Sequence, residues 1–479
     1  MTDRSYACCI LGAGPAGLGT AVELVNHGVT SILVVDRNPV VGGLARTEVF
    51  GNARFDVGPH RFFTKNAEIN KLWHDTLGAD FRSVDRLTRI YHGQKFFHYP
   101  IKPFDVVSKL GIVESTHALL SFVSARFTSK REALTFEDWI TDRFGRKLYD
   151  TFFKTYTEKV WGIPGHQIGA EWAAQRIKGL DIVKVLKGAL LGGSGRTVKT
   201  LVDRFDYPVL GAGQMYEVMA EKTARAGVEY LLGASIVSVN RANDRITSVD
   251  VRGGDGAPVR IQADHFFSSI PMTHFVRMLE PTESEKTMKA AEALYYREHV
   301  TVNLLVSGRS PFPDQWIYVH SPDVQMARIA NYNNFSAAMT PSPDRTALSV
   351  EYFTFQHEAL WKRPDRELVD LAGEEMSRLK LLSPGQIEGA WVVRESESYP
   401  TYYMGFQEPY EILKRRINEF QNLSAIGRGG MYKYNNQDHS AYSGILAARN
   451  YLKLPGSPYN LWNINIDAEY LESAERPGS

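Results

Sequence analysis

Tyr6-Ala7-Cys8-Cys9-Ile10-Leu11-Gly12-Ala13-Gly14-Pro15-Ala16-Gly17 is the stretch that decides the fold. Its apolar half, Tyr6 to Leu11, has no polar alternation, which is the pattern of a parallel strand buried on both faces. Gly12, Gly14 and Gly17 then supply a tight turn, a backbone bare enough to approach a pyrophosphate, and close packing of helix on strand. Leu18, Ala21, Val22, Leu24 and Val25 recur at helical spacing as far as His27, and Gly28 closes the helix. A second strand, Ser31 to Val35, ends on Asp36, 19 residues after Gly17. Strand, helix and strand fit within about 30 residues, the size of a βαβ crossover. Pro15 and Ala16 open the helix, whose amino terminus favours phosphate, and Asp36 stands where a carboxylate accepts from a ribose diol.

Outward from this unit the pattern changes. From about Ala67 to Asp203 it is mostly helical and rich in aromatics. Thr135-Phe136-Glu137-Asp138 has the form of a capping box, and Phe136, Trp139, Ile140, Phe144, Leu148 and Phe152 follow on one face. Strand signals return at Val228 to Leu232, Ile236 to Val239 and Ile246 to Val251, the last followed by the turn Gly253-Gly254-Asp255-Gly256. Val300 to Val306, Trp316 to Val319 and Leu348 to Phe353 suggest a second, largely antiparallel sheet walling a ligand pocket. The expected fold class is therefore α/β. It comprises a discontinuous Rossmann-type dinucleotide-binding domain (1–66, 204–275 and 420–455), a mostly helical substrate-side domain (67–203) and an antiparallel-sheet substrate domain (276–419).

Composition narrows the functions. The 479 residues carry 55 Lys plus Arg against 54 Asp plus Glu, so no overall field recruits nucleic acid or an anionic membrane. The adjacent Cys8 and Cys9 build neither a disulfide framework nor a metal-ligand set. A cytoplasmic, reducing setting is expected, with no secretion signal and no membrane span.

Asp36-Arg37-Asn38-Pro39-Val40-Val41-Gly42-Gly43-Leu44-Ala45-Arg46-Thr47 resembles the second glycine motif of the FAD-dependent family that holds amine oxidases, protoporphyrinogen oxidases, phytoene desaturases and UDP-galactopyranose mutases. The resemblance implies FAD as cofactor. Four further segments resemble the mutases. Phe55-Asp56-Val57-Gly58-Pro59-His60-Arg61-Phe62-Phe63 is similar to the loop whose histidine lies beside flavin N5, with Pro59 where most mutases have glycine. Tyr156-Thr157-Glu158-Lys159-Val160-Trp161-Gly162 and the following Glu171-Trp172-Ala173-Ala174-Gln175-Arg176 are similar to the substrate-domain motif. Trp316-Ile317-Tyr318 and Arg328 match a tyrosine and arginine that contact a diphosphate. Gly427-Arg428-Gly429-Gly430-Met431-Tyr432-Lys433-Tyr434-Asn435-Asn436-Gln437-Asp438-His439, with a helix from Ser440 to Leu452, is similar to the carboxy-terminal motif that reaches substrate and covers the flavin.

By this resemblance Gly12, Gly14, Pro15, Ala16, Gly17, Asp36, Arg37, Gly42, Gly43, Leu44, Gly58, Pro59, His60, Val237, Asn436 and Gln437 bind the cofactor. Tyr99, Trp161, Arg176, Tyr318, Arg328, Tyr399, Arg428 and Tyr434 bind a nucleotide sugar. His60, Arg176, Arg328 and Arg428 are the expected catalytic set: the arginines hold a leaving diphosphate, for which guanidinium forks are suited, and His60 sets the flavin environment. The implied reaction is a redox-neutral interconversion of pyranose and furanose, started by attack of reduced flavin N5 on the anomeric carbon, with NAD(P)H a candidate reductant. Ile101-Lys102 after Tyr99-Pro100 departs from the eukaryotic-type mutases, which leaves the base open. Two alternatives stand beside this reading: an FAD oxidoreductase of amine oxidase, protoporphyrinogen oxidase or desaturase type on the same scaffold, and a noncatalytic nucleotide-sugar binder.

Overall fold

The apolar run forms the strand Thr2–Leu11, with Cys8, Cys9, Ile10 and Leu11 each 0% exposed. The computed structural model describes residues 2–99, 103–127, 132–170, 172, 204–254 and 256–464. Arg176 and the rest of 173–203 lie outside the described residues. Thr2–Leu11 pairs in parallel with Ile32–Asp36 on one side and Pro258–Ser268 on the other, and Ile32–Asp36 pairs in parallel with Glu229–Leu232. Ser235–Ala242 and Arg245–Arg252 extend the sheet antiparallel beyond Pro258–Ser268. This is the Rossmann-type sheet that the glycine turn predicts.

The helix Pro15–Asn26 covers one face of the sheet and is itself covered by Gln437–Leu452. These two helices meet backbone to backbone. A Cβ on Gly444 would come 2.0 Å from the Ala16 carbonyl, and one on Gly19 would come 2.6 Å from that of Ala441. Glycine at both places is what lets the late helix sit down on the early one.

A second sheet runs in the order Ile387–Pro400, Tyr296–Ser307, Arg345–Thr354, Arg328–Asn331, Trp316–Val319, Thr88–His92, Lys95–His98. It is antiparallel except where Trp316–Val319 lies parallel to Thr88–His92.

The structure redraws three expectations. The segment 67–203, expected to be mostly helical, also supplies strands: Thr88–His92 and Lys95–His98 complete the second sheet. The boundaries at 276 and 419 also move: Leu279–Glu280 pairs with Ser235–Ala242, and Leu294, Leu413 and Ile417 pack in the core of the Rossmann side. Finally, the Thr135 capping box forms, but its helix ends at Phe144 on Gly145, whose φ is +82°. Phe136, Trp139, Ile140 and Phe144 share one core, whereas Phe152 packs against Ile90 and Phe97. The chain passes from Gly145 through a π-helical stretch, Tyr149–Lys154, into the helix Thr155–Trp161.

Candidate functional site

At the carboxyl end of Thr2–Leu11 the chain turns at Gly12, with φ +115°. A Cβ on Gly17 would lie 1.9 Å from the Gly12 carbonyl, so the turn and the helix interlock. One on Gly14 would meet nothing nearer than the Gly43 Cα, 3.8 Å away. The Cβ direction of Gly14 thus reaches only van der Waals contact with the Gly43 backbone, beside a helix whose first residues, Pro15 and Ala16, present its positive end. Asp36 accepts from the Ala13 amide at 2.7 Å and the Asn38 amide at 2.8 Å; burial raises its pKa, and the two amides pull it back. Its backbone carbonyl and that of Asn38 accept from Ala234 and Gly233, which brings the strand bearing the exposed Val237 to the same end.

The second glycine loop closes over the first. Gly42 (φ +104°) donates to the Ala13 carbonyl at 2.9 Å, and a Cβ on Gly43 would lie 3.1 Å from the Gly14 Cα. Leu44 sits in the short turn Gly43–Ala45. Arg46, buried, donates to the Gly43 carbonyl at 3.0 Å and pairs with Glu48 and with Glu395 of the second sheet. Arg37 points to Ser396 and Glu397. A lane past two bare glycines, flanked by a helix amino terminus and a carboxylate, fits an extended dinucleotide.

From Arg46 the path continues to the Gly58 loop, since the Val57 amide donates to the Arg46 carbonyl at 3.2 Å. Gly58 has φ +85°, and a Cβ there would stand 3.6 Å from Glu351 Oε2 and 3.8 Å from Arg328 Nη2. Pro59 follows, and His60 Nδ1 lies 2.8 Å from the Gly58 carbonyl. A carbonyl only accepts, so Nδ1 carries the hydrogen and Nε2 is an acceptor. Burial lowers the His60 pKa to about 4, and Arg428 and Arg328 push the same way, so the ring is neutral at physiological pH.

Arg328 stands directly opposite Tyr318 on adjacent antiparallel strands. Its Nε and Nη2 both donate to Glu351 Oε2, at 3.2 and 2.5 Å, and Nη2 reaches the Tyr399 hydroxyl at 3.4 Å. Glu351 is 0% exposed and also faces His299 Nε2 at 3.2 Å. Burial alone would raise its pKa, yet Arg328 and His299 hold it at about 2. The bidentate fork expected for a diphosphate is therefore partly spent on Glu351. Among the described residues Nη1 makes no hydrogen bond, on a side chain that keeps 15% of its surface exposed.

Arg428 is held by two carbonyls, Asn435 at 2.9 Å and Ser398 at 3.0 Å, and its guanidinium lies over the rings of Tyr399 and Tyr434. Those rings stack on each other with Trp161 beside both. Tyr318 carries Tyr99 and Tyr156 at its edges. Gln437 faces other partners: its amide oxygen accepts from Tyr216 and its nitrogen donates to the Arg61 carbonyl, while Asn436 is the helix N-cap. Glu351, His299 and Tyr156 belong to this cluster and are not in the residue set read from sequence. The available signals were a carboxylate, Glu351, in the mostly apolar run Leu348 to Phe353, which burial obliges to find a partner, and the place of Tyr156 at the head of the Tyr156 to Gly162 motif.

The family of NAD(P)-binding Rossmann-like domains matches residues 10–76. A curated relative, coproporphyrinogen III oxidase of Mycobacterium leprae (strain TN), is 24% identical over 65% of this chain and 69% of its own length. A Klebsiella pneumoniae protein described as a probable UDP-galactopyranose mutase is 28% identical over 34% of this chain, and the match spans 42% of that relative. Among solved structures, a crystal structure of reduced UDP-galactopyranose mutase superposes with a TM-score of 0.83 at 21% identity, over 97% of this chain and 98% of the other. The chain thus shares its fold with a mutase over nearly its whole length, and resembles oxidases as well.

Proposed function

We propose that the protein is an FAD-dependent mutase that interconverts pyranose and furanose forms of a nucleotide sugar, with the flavin in its reduced state. The observation that carries this reading is the meeting of Arg328 and Arg428, among tyrosines, at the Gly58–His60 loop that continues from the dinucleotide cradle. Two guanidiniums suit a diphosphate. The hydrocarbon substrates of desaturases have no need of them, whereas the propionates of a porphyrinogen would also pair with them, so the test below is chosen to separate those two readings. The bound FAD would lie along Gly12, Gly14 and Gly42, with its ribose at Asp36, and would supply a nucleophilic N5 toward an anomeric carbon. Arg328 Nη1 and Arg428 orient the diphosphate and stabilise the charge it gains on leaving, which is electrostatic catalysis. Arg176 is proposed as a third phosphate ligand. Neutral His60 offers an acceptor nitrogen to the flavin without adding a cation, and Trp161, Tyr99, Tyr318, Tyr399 and Tyr434 wall the sugar nucleotide and exclude water.

The test is incubation of dithionite-reduced protein with a panel of nucleotide sugars, followed by product chromatography. Isomerised sugar should form with no net consumption of reductant. Product formed only by oxidised enzyme, in step with hydrogen peroxide, would replace this reading with the oxidase one, which the longer match to coproporphyrinogen III oxidase favours.

A further inference from the structure

The hairpin that presents Tyr318 and Arg328 has a turn, residues 320–327, gripped from two sides by half-buried Lys159 and buried Glu375. Lys159 Nζ donates to three backbone carbonyls there: Val319 at 3.2 Å, Ser321 at 2.7 Å and Met326 at 2.9 Å. These acceptors saturate the three hydrogens of an ammonium. Glu375, on the helix Asp365–Arg378, takes the opposite polarity: its carboxylate accepts from the Gln325 amide at 2.5 Å, the Met326 amide at 3.0 Å and the Tyr352 hydroxyl at 3.1 Å. A cation on the carbonyls and an anion on the amides fix the turn as no single contact could.

Lys159 sits on the helix Thr155–Trp161, three residues after Tyr156 and two before Trp161. That helix is anchored in turn by buried Arg297, which donates to the Lys159 and Val160 carbonyls at its carboxyl end, both at 3.3 Å, and to Phe353 at 2.9 Å. One short helix therefore carries two aromatic walls of the pocket and, through one ammonium, sets the hairpin that carries its arginine.

We infer that Lys159 is a positioning residue: with Glu375 it locks the 320–327 turn so that Arg328 and Tyr318 stand at a set distance from Tyr156 and Trp161. This rests on the proposed nucleotide-sugar reading for its consequence, but the clamp itself does not. Misplacing groups around a reacting centre by about 1 Å costs on the order of a hundredfold in rate, and loosening the turn should cost part of that in turnover and weaken diphosphate binding with it.

The group's surroundings make its protonation informative. Burial lowers the Lys159 pKa to about 8, while Glu375 and Asp323 pull it upward. His320 and His92 are the other titratable neighbours, and burial already holds His320 at about 3, so it does not change charge near pH 8. Above pH 8 the neutral amine has two hydrogens for three carbonyls, so ligand affinity should fall. Folding stability from this group should move the other way. A lysine depressed below 10.5 binds fewer protons folded than unfolded between about 8 and 10.5, so stability rises with pH across that window. A merely structural lysine gives no such opposition.

The experiment compares wild type, Lys159→Met, Lys159→Arg and Glu375→Gln as FAD-loaded proteins, reading amide hydrogen exchange of residues 316–331 and, from pH 7 to 10, affinity for whichever of the uridine, thymidine, adenosine, guanosine and cytidine diphosphates wild type binds best. Exchange should accelerate in the hairpin and not in the Thr2–Leu11 strand. Affinity should fall roughly tenfold or more in Lys159→Met and lose its alkaline limb, with partial return in Lys159→Arg. Unchanged exchange and affinity in both Lys159→Met and Glu375→Gln would overturn the clamp. Faster hairpin exchange in a protein whose wild type binds no diphosphate would uphold the clamp and sink the mutase reading instead. Should Lys159→Met fail to fold, Glu375→Gln, which keeps shape and removes charge, carries the same comparison.

Discussion

Replacing Arg328 with Ala tests whether it serves substrate or only Glu351. In the folded protein it satisfies a carboxylate that is 0% exposed, through contacts of 3.2 and 2.5 Å to one oxygen. The depression of Glu351 from 4.5 to about 2, at ~1.4 kcal/mol per unit, corresponds to roughly 3 kcal/mol of folding stability at neutral pH. Its sign is that of a lowered acid: the contribution is present above the unfolded pKa and fades as pH falls toward 2. That shift is the joint work of Arg328 and His299 against burial, so Arg328→Ala should lose on the order of 3–5 kcal/mol, the cost of orphaning one member of a buried pair. Removing both charges in Arg328→Ala, Glu351→Gln should restore most of that stability, because the buried charge is gone. Affinity for the nucleoside diphosphate that wild type binds best should not return. A single charge-assisted contact from Nη1 contributes about 1.5–3 kcal/mol, or roughly ten- to a hundredfold in affinity. Urea denaturation and titration calorimetry on both variants measure the two quantities separately. If the double variant regains wild-type affinity, Arg328 acts only as the counter-ion of Glu351, and the diphosphate assignment fails at this position.

Gly14→Val should abolish FAD binding, since a Cβ there already lies in contact with the Gly43 Cα at 3.8 Å and the two methyls beyond it would enter the path of the pyrophosphate; retained flavin absorbance would refute the placement of the cofactor. Gly444→Ala puts a Cβ 2.0 Å from the Ala16 carbonyl and should cost at least ~1–3 kcal/mol by overpacking, read as a lower denaturant midpoint at unchanged slope. Cys8 and Cys9 are buried, and burial pushes the Cys8 thiol up to about 11 and the Cys9 thiol higher still. A disulfide reagent at pH 8 should therefore label neither until the protein unfolds, and fast labelling of the native state would contradict the packing of the Thr2–Leu11 strand.

Local chemistry explains which parts of the fold could be read ahead of the structure. The βαβ unit was legible because each of its steps is short-range: an apolar strand, glycines at fixed offsets, a helix, and a carboxylate at the next strand end. The addition of Thr88–His92 to the second sheet was not, because its partner Trp316–Val319 lies more than two hundred residues away and a parallel pair leaves no turn between its strands. Gly145 was visible in the sequence but was read through as helix, although its φ of +82° is what ends the Phe136–Phe144 helix. At the candidate site, Tyr318 and Arg328 were legible through the family resemblance, and the structure sets them opposite each other on adjacent strands. Glu351, His299 and Lys159 were not, since each is defined by a buried partner from a distant segment.

The strand Ile387–Pro400 shows the same limit and explains how two sites become one. Its ladder with Tyr296–Ser307 slips between the pairs Arg297↔Tyr399 and His299↔Glu395, a bulge of the strand, and Glu397 within it takes φ +51°. An irregularity of this kind re-aims side chains and releases backbone groups from the ladder. Here Glu395 reaches Arg46 behind the second glycine loop, the Ser398 carbonyl accepts from Arg428, and the Tyr399 hydroxyl meets Arg328. The bulge thus lets one strand touch the dinucleotide cradle and both described arginines. Nothing in Glu395-Ser396-Glu397-Ser398-Tyr399 announces it, because a bulge is a property of the pairing and not of the strand alone.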